Sequence, residues 1–318
     1  MFPKAFARRP DRTQALRKGS ALTLFLMAGT LMSHAAPALA MTPLVPHRAV
    51  YDLQLQDATE QSGISNMYGR MVYEFNGSAC AGYTVSFRFV TKVDGGEEVR
   101  TTDQQTTTFE DPKGSFRFLT RSFTDDKLDK EVRGTAHETE KGVSVDLEAP
   151  QKQSVDLTKA MFPTAHMIDV IERALKGEKL FEARLFDGSD SGDKTMLTTT
   201  VIGARETPAG GGAGKAESDK NKEDKIESGK AEEGADDTDA EKAGTLARSP
   251  YWPVTIAYFE DHSTGDATPT YRTSFKLYEN GVTRDLTLDY GDFVLSAKLA
   301  KLDLYKADGC NSPAKQAK

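Results

Sequence analysis

Apolar and polar residues alternate with a period of two along most of the chain. In GYTVSFRFV, residues 82–90, the aromatic residues and Val85 share one parity, and Thr, Ser and Arg take the other. The segments YRTSFKLY (271–278) and GVTRDLTLDYGD (281–292) repeat this pattern. Such alternation is typical of strands that bury one face and leave the other in water, as in antiparallel sheets. The sequence therefore predicts a mainly β protein.

Turn signals divide the chain into roughly a dozen strands, with a spacing that suits a barrel or a sandwich. Asn280-Gly281 predicts a two-residue hairpin turn between YRTSFKLY and the segment that follows. In the last strand the apolar positions change parity after Leu299, which predicts a β-bulge or bend near Ala300. The other predicted strands lie near 48–55, 69–76, 98–109, 115–123, 130–138, 142–148, 180–187, 195–203, 253–260 and 293–305.

One segment departs from this rhythm, FPTAHMIDVIERALKGE at residues 162–178. Its apolar residues recur at helical spacing, Pro163 suits the first turn of a helix, and Gly177 suits its end. We predict a single amphipathic helix of about three turns. In a curled sheet we expect it to plug the open end or to lie in the concavity, with its apolar stripe in the core; an exposed partner site is the alternative. The stripe consists of Met167, Ile168, Ile171 and Leu175.

The first forty residues have the features of a cleaved secretory signal. Six Lys and Arg residues precede an apolar run at 21–32, and the segment ends in APALA before Met41. The apolar run has 12 residues, whereas roughly 20 are needed to span a bilayer. We therefore expect residues 1–40 to be removed and the mature protein to be exported, soluble and not membrane-spanning.

Composition narrows the class of partner and marks one insertion. Without residues 1–40, 35 basic residues face 47 acidic ones, a formal net charge of −12, which disfavours nucleic acid and bare anionic lipid as partners.

Segment 207–247 has no aromatic residue and carries eleven acidic residues against six Lys, so we expect it to be disordered. Because strand-like sequence lies on both sides, we interpret it as an insertion in one β domain made of 41–206 and 248–310; a linker between two domains is the alternative. Residues 311–318 are expected to form a flexible tail.

Cys80 and Cys310 are the two cysteines of the chain. An exported protein meets oxidising conditions, and neither cysteine belongs to a C-x-x-C motif or has a His at ligand spacing. We predict a structural disulfide between them; a nucleophilic thiol and unpaired or intermolecular thiols are the alternatives. A bridge over so long a loop would lower the entropy of the unfolded chain, which corresponds to about 5 kcal/mol in the loop-entropy model.

No catalytic or metal-binding pattern stands out in the sequence. The four histidines after residue 40 have no close ligand spacing among them, so we expect neither a metal nor another cofactor. The loop FDGSDSGDKT, beginning at Phe186, resembles the start of an EF-hand loop, but Thr198 stands where the bidentate acid belongs. We therefore interpret this loop as a turn between two strands.

The single Trp of the chain, Trp252, precedes Pro253 at the start of a predicted strand. A large aromatic residue at this place commonly seals the end of a barrel, and a ligand mouth is the alternative. As a tentative ligand or partner region we select Trp252 together with Met167, Ile171 and Leu175 of the predicted helix.

Several segments, taken in order, resemble one family. HRAVYDLQL opens the domain, GRMVYEFNGSACAGYTVSFRFVT, FPTAHMIDVIERALKGE and LFDGSD follow, and WPVTIAYFE and SFKLYENGVTRDLTLDYGDFVLSAKLAKLDLY end it. This order resembles the EipB (envelope-integrity protein B) family of alphaproteobacterial periplasmic proteins over residues 47–310, apart from the insertion. The resemblance implies a spiral-like, partly open antiparallel β-barrel with one helix, clasped by a disulfide at the positions of Cys80 and Cys310.

The resemblance also implies a periplasmic location, a role in cell envelope integrity, no enzymatic activity, and a periplasmic tetratricopeptide-repeat protein as a partner. Our first hypothesis is a non-catalytic periplasmic protein that binds a protein partner. The second is a carrier of an apolar ligand, a lipid or a lipoprotein acyl chain, in the concavity of the barrel. The third, a hydrolase of envelope polymer, requires acidic or His side chains brought together in one cleft. An apolar cavity that the helix leaves unfilled would favour the second hypothesis.

Overall fold

The computed structural model of the protein describes four parts of the chain, 44–208, 246, 248–261 and 267–306. The predicted signal, most of the acidic insertion, Cys310 and the C-terminal tail lie outside these parts. The predictions made for those segments, the disulfide included, therefore stay predictions.

Fourteen strands and one α-helix make up most of the described residues. The helix, α1, spans Pro163–Leu175, and a single 3₁₀ turn spans Glu60–Ser62. The strands are β1 (His47–Ala58), β2 (Asn66–Ser78), β3 (Gly82–Asp94), β4 (Val99–Asp111), β5 (Ser115–Thr124), β6 (Lys127–Glu138), β7 (Val143–Ala149), β8 (Gln153–Leu157), β9 (Leu180–Leu185), β10 (Met196–Ile202), β11 (Tyr251–Glu260), β12 (Tyr271–Tyr278), β13 (Thr283–Asp289) and β14 (Phe293–Leu304).

All these strands join one antiparallel sheet in the order β8-β7-β6-β5-β4-β3-β2-β1-β14-β13-β12-β11-β10-β9. Neighbours in the chain are neighbours in the sheet, except that β1 pairs with β14 and that α1 separates the two edge strands, β8 and β9. Strands β10 and β11, which flank the acidic insertion in the sequence, pair directly with each other. Both ends of the described chain therefore meet in the middle of the sheet.

The sheet curls but does not close, because within the described parts no ladder joins β8 to β9. A single parallel bridge between Met161 and Leu185 stands at this gap. The backbone N–H of Met161 donates to the carbonyl of Arg184 at 2.8 Å, and the N–H of Phe186 donates to the carbonyl of Met161 at 2.9 Å. The predicted fold class, a partly open antiparallel β-barrel with one helix, is confirmed, with fourteen strands where roughly a dozen were expected.

Local predictions from the sequence pattern are largely confirmed. The β1–β14 register shifts where Val50 faces Lys301 and Tyr51 faces Leu299, which places the predicted bulge at Ala300. Gly281 turns the chain between β12 and β13 with φ +87°, but the connection has four residues where two were expected. Strand β8 was missed, since its sequence QSVDL has few apolar residues to mark it.

The C-terminal end of α1 is fixed by a left-handed glycine, as the sequence predicted. Gly177 has φ +79°, a conformation that costs glycine little because it has no Cβ. Its N–H donates to the carbonyl of Ala174, and the N–H of Glu178 donates to the carbonyl of Arg173, both at 3.0 Å. This pair of bonds is a Schellman motif, which satisfies carbonyl groups that the helix itself leaves free.

Helix α1 lies inside the curled sheet. Its buried residues Val170, Ile171 and Ala174 belong to one cluster with Phe75 of β2 and Phe181 of β9. Strands β2 and β9 lie far apart in the sheet order, so their contact through α1 shows how strongly the sheet curls. Burying each large aliphatic side chain contributes about 1.5–3 kcal/mol. Packing against the sheet therefore stabilises both the helix and the curl.

A second buried cluster lies where β5, β6 and β7 cover the loops at either end of the α1–β9 unit. The rings of Phe116 and Phe162 stack with 4.9 Å between centroids, and Phe186 meets Phe118 edge-on at 5.6 Å.

In the parts of the chain that the structure describes, no helix has the length and apolar character of a membrane span.

Candidate functional site

The residues selected from the sequence as a tentative ligand or partner region do not form one surface. Trp252 is 3% exposed and lies in the same buried cluster as Ile171, and Met167 is partly buried against that cluster. The guanidinium of Arg205 covers the Trp252 ring at 4.6 Å. Leu175, in the last turn of α1, is 47% exposed. The prediction that the apolar stripe of the helix is core is therefore confirmed for Ile171 and wrong for Leu175.

Glu110 of β4 anchors the other end of α1. Its Oε2 accepts the backbone N–H of Thr164 at 2.8 Å, and its Oε1 accepts that of Ala165 at 2.9 Å. Phe162 occupies the N-cap position and offers no side-chain acceptor. Burial raises the pKa of Glu110, and the backbone donors oppose this shift. Sequence reasoning missed Glu110, since a cap supplied from a distant strand leaves no local signal.

A small polar group lies between α1 and β10 in the otherwise apolar interior. Thr198 is fully buried, and its Oγ1 donates to the carbonyl of Ala183 at 3.0 Å and lies 3.4 Å from Nε2 of His166. Burial lowers the pKa of His166, against the opposing effect of Asp169, so the ring is neutral near pH 7. The hydroxyl of the fully buried Thr200 has no partner within the described chain. The one polar contact between α1 and β10 in this group, His166 with Thr198, therefore lies in the buried interior.

Beyond α1, two rows of paired residues line the inner side of β3, β4 and β5. Residues paired directly across neighbouring strands point to the same side of a sheet. Phe87 and Phe89 pack against the buried cluster of β1 and β2, which identifies this side as the inner one. We name the six residues the open inner face: Phe87, Thr106 and Thr120 in one row, and Phe89, Gln104 and Ser122 in the next.

The open inner face is accessible to water, unlike the part of the sheet that surrounds α1. Gln104 is exposed and its five companions are half-buried. Thr108 and Phe118, one row nearer to the helix, are buried. The helix therefore fills one end of the concavity and leaves these two rows uncovered.

The open inner face changes chemistry at the boundary between β3 and β4. On β3, Phe87 and Phe89 stack with 6.2 Å between ring centroids, and the apolar lining continues onto β2 through the buried Met71. On β4 and β5 the lining is polar but uncharged, and the hydroxyls of Thr106 and Thr120 lie 3.0 Å apart. The concavity beyond the helix is thus amphipathic across its width.

Aromatic rings also line β11, β12 and the turn after β13. Tyr258 and Tyr271 stack at 4.2 Å, Tyr271 and Tyr290 at 6.1 Å, and Tyr290 and Phe293 at 4.9 Å. Tyr290 is 40% exposed. Burial raises the pKa values of Asp187, Tyr258 and Tyr271, and the charge of Asp187 adds to the shift of the two tyrosines. A backbone N–H of its own loop donates to Asp187 at 2.8 Å, so this carboxyl is held by the β9–β10 turn.

The remaining candidate residues of the sequence analysis are the two cysteines, the histidines and the acidic loop after Leu185. Cys80 lies in the exposed turn between β2 and β3, while Cys310 lies outside the described parts, as does His262. The loop after Leu185 connects β9 to β10, which confirms its interpretation as a turn between strands. Within the described ranges, no three His, Cys, Asp or Glu side chains gather as a metal site requires.

Comparison with known proteins gives consistent matches over most of the chain. The model of the EipB-like family matches residues 38–232 and 214–306. The Cell envelope integrity protein EipB of Brucella abortus is 46% identical over 288 residues, which cover 90% of this chain and 92% of that protein. A crystal structure from Brucella abortus, described as a beta-barrel-like protein of a domain of unknown function, is 46% identical with a TM-score of 0.71, over 83% of this chain and 99% of that one.

Proposed function

The chain belongs to the EipB-like family, and from this premise we propose that it supports cell envelope integrity as a non-catalytic periplasmic protein. The observation that carries the proposal is the 46% identity, over nine tenths of both chains, to a protein named for cell envelope integrity. The periplasmic location is further supported by residues 1–40, with their basic start, short apolar run and APALA end.

A deletion strain of the source organism tests the envelope role and the location together. We expect loss of the gene to increase sensitivity to detergent, and we expect the full-length gene to restore resistance. A gene without residues 1–40 is the matched control, because its product stays in the cytoplasm and should not restore resistance. Unchanged resistance in the deletion strain would overturn the envelope role. Restoration by the shortened gene would overturn the periplasmic location.

We propose that the protein acts by binding a protein partner. A pair of exposed apolar side chains on the outer side of the sheet supports this: Leu180 of β9 is 63% exposed, and Val201, its direct partner on β10, is 48% exposed. A partner that covers these two side chains would remove apolar surface from water, which favours association. By family resemblance, a periplasmic tetratricopeptide-repeat protein is the proposed partner.

Site-specific photocrosslinking in living cells tests this surface. A photoreactive amino acid at Leu180 should give a protein adduct that mass spectrometry identifies as a tetratricopeptide-repeat protein. The matched control places the same amino acid at Ser154, an exposed position on the other edge strand, β8. Equal adducts from both positions, or no adduct from Leu180, would exclude this face as the partner site.

A second candidate function is the binding of an apolar ligand in the concavity. The open inner face favours it, since α1 leaves Phe87 and Phe89 half-exposed where a filled interior would bury them. Native mass spectrometry of gently purified mature protein tests this candidate. A fraction with a lipid-sized added mass supports it, and protein of bare mass in every preparation contradicts it.

A further inference from the structure

We infer that the open inner face binds a neutral acyl ester lipid, with the chain on β3 and the ester group on β4 and β5. This inference rests on the ligand-binding candidate and states which class of ligand the site fits. It follows from three features of the open inner face: the position of its chemical boundary, its lack of charge, and its hydrogen-bonding capacity.

The boundary requires a ligand that is apolar on one side and polar on the other. Phe89 on β3 and Gln104 on β4 are direct partners, as are Phe87 and Thr106. Directly paired side chains lie about 5 Å apart, so a ligand that covers both rows contacts aromatic carbon and polar groups at once. A wholly apolar chain would cover the polar groups of β4 without replacing their hydrogen bonds to water, which is unfavourable. An acyl chain that ends in a polar linkage meets both requirements.

The lack of charge selects a neutral linkage. None of the six side chains of the open inner face is ionisable. Lys130 of β6 is the direct strand partner of Ser122 and lies on the same side of the sheet, but its Nζ lies 3.1 Å from Oδ1 of Asp190, so its charge is already paired. Moving an ionised group out of water without a partner charge is strongly unfavourable. A fatty acid carboxylate or a phosphate would therefore be a poor fit in these rows, whereas a carbonyl ester carries no net charge.

The polar rows have hydrogen-bonding capacity to spare. Gln104 is exposed, and no side-chain or backbone group of the described chain bonds its amide or the hydroxyl of Ser122, its direct partner. An amide NH₂ and a hydroxyl both donate to a carbonyl oxygen. In the next row, Thr106 and Thr120 bond each other, and one of the two hydroxyl protons stays available. Donors therefore stand on β4 and β5, where an ester carbonyl would lie beside an acyl chain on β3.

Isothermal titration calorimetry of the mature protein with two soluble probes tests this inference. The probes are 1-monodecanoylglycerol and decanoate, which share an acyl chain and differ in charge, each used below its micellar concentration at mildly alkaline pH. We expect the ester to bind at least about tenfold more tightly than the anion. Equal affinity would overturn the neutral class while the ligand-binding candidate stands. If neither probe binds, the inference is overturned as well.

A pair of neighbouring glutamines provides the matched control. Gln104→Met removes the inner amide and keeps the length of the side chain, and should weaken ester binding about three- to tenfold with decanoate unaffected. Gln105→Met makes the same change on the outer side of β4, where the amide donates to Asp103 at 2.9 Å, and should leave ester binding unchanged. Equal effects of the two substitutions would overturn the assignment to the open inner face. Circular dichroism melting confirms that both variants are folded, and the deletion-strain assay remains an independent test of the envelope role.

Discussion

Glu110 Oε2 accepts the backbone N–H of Thr164 at 2.8 Å, although the two residues stand 54 positions apart in the sequence. The first N–H groups of a helix have no partner within the helix, and the helix dipole makes this end favourable for a carboxylate. Glu110 therefore does what an N-cap side chain does elsewhere. Since it belongs to β4, it also ties the position of α1 to the wall of the barrel.

Removal of this cap should destabilise the protein. We expect Glu110→Ala to lower the free energy of unfolding by about 1–3 kcal/mol, because two partly buried N–H groups lose their acceptor. Urea unfolding followed by circular dichroism measures the change. Glu140→Ala is the control, since this exposed carboxylate contacts no helix N–H. Coincident unfolding curves for the two variants would show that the cap does not stabilise the fold.

The buried His166 predicts a loss of stability in acid. Burial lowers its pKa below the ordinary 6.5, so below that pH the unfolded chain takes up a proton that the folded chain does not. The free energy of unfolding should therefore fall as pH falls from about 7.5 to about 5.5. In His166→Phe this decline should be shallower. Part of the decline that remains is due to His47, because burial lowers the pKa of His47 as well.

Thermal melting across this pH range measures the effect. His137→Phe, which replaces an exposed histidine of β6, serves as the control, and the slope of stability with pH is compared between the two variants. A decline in His166→Phe that runs parallel to that of the unsubstituted protein would contradict the assignment.

Trp252 and Leu175 should differ sharply in their contribution to stability. Trp252 is 3% exposed among the residues that surround α1, whereas Leu175 is 47% exposed. We expect Trp252→Ala to cost about 3–5 kcal/mol of unfolding free energy and Leu175→Ala less than about 0.5 kcal/mol. Guanidinium unfolding provides the comparison. A small loss for Trp252→Ala would mean that this end of the barrel is loosely packed.

Two buried threonines on β10 should respond in opposite directions to the same substitution. Thr198→Val removes a hydroxyl that donates to Ala183 and should lower the free energy of unfolding by about 1 kcal/mol. Thr200→Val removes a buried hydroxyl without a partner in the described chain and should leave stability unchanged or raise it by up to about 1 kcal/mol. Thermal melting of both variants tests this. Equal losses would indicate that Thr200 has a partner after all.

The predicted disulfide has a simple test. Under oxidising conditions, Cys80→Ser and Cys310→Ser should each melt at a lower temperature than the unsubstituted protein, because the unfolded chain regains the freedom of a long loop, a change of a few kcal/mol. Reduction should bring the unsubstituted protein to the melting temperature of the variants. Peptide mapping of the native protein should recover the two cysteines in one linked pair, and recovery as free thiols would reject the bridge.

The strands, the bulge and the end of the helix could be predicted from the sequence, because each depends on residues a few positions apart. Alternating parity in GYTVSFRFV marks β3, the parity change after Leu299 marks the bulge at Ala300, and Gly177 marks the end of α1. The burial of one helix residue was predicted wrongly, since Leu175 fits the apolar stripe but is 47% exposed. Periodicity states which residues share a face, and it does not state how far a neighbouring element reaches.

The candidate site was not readable in this way. The stretch TTDQQTTT on β4 contains no apolar residue, so its sequence gives no sign of which parity faces the interior. The pairing of Gln104 with Phe89 decides this, and it places Gln104 inside and Gln105 outside. The sequence around Phe162 likewise contains no signal that predicts the cap by Glu110.

The sequence by itself determined the class of fold, most of the strands, the single helix and its stop, because side-chain periodicity and turn chemistry act between residues a few positions apart. The tertiary structure alone decided that β1 pairs with β14, that the sheet curls around α1 without closing, and that a polar and an aromatic row meet in an open concavity. These features depend on the register between distant strands. Register is set by the packing of the whole sheet, and a slip of one residue would turn every side chain of a strand to the opposite face.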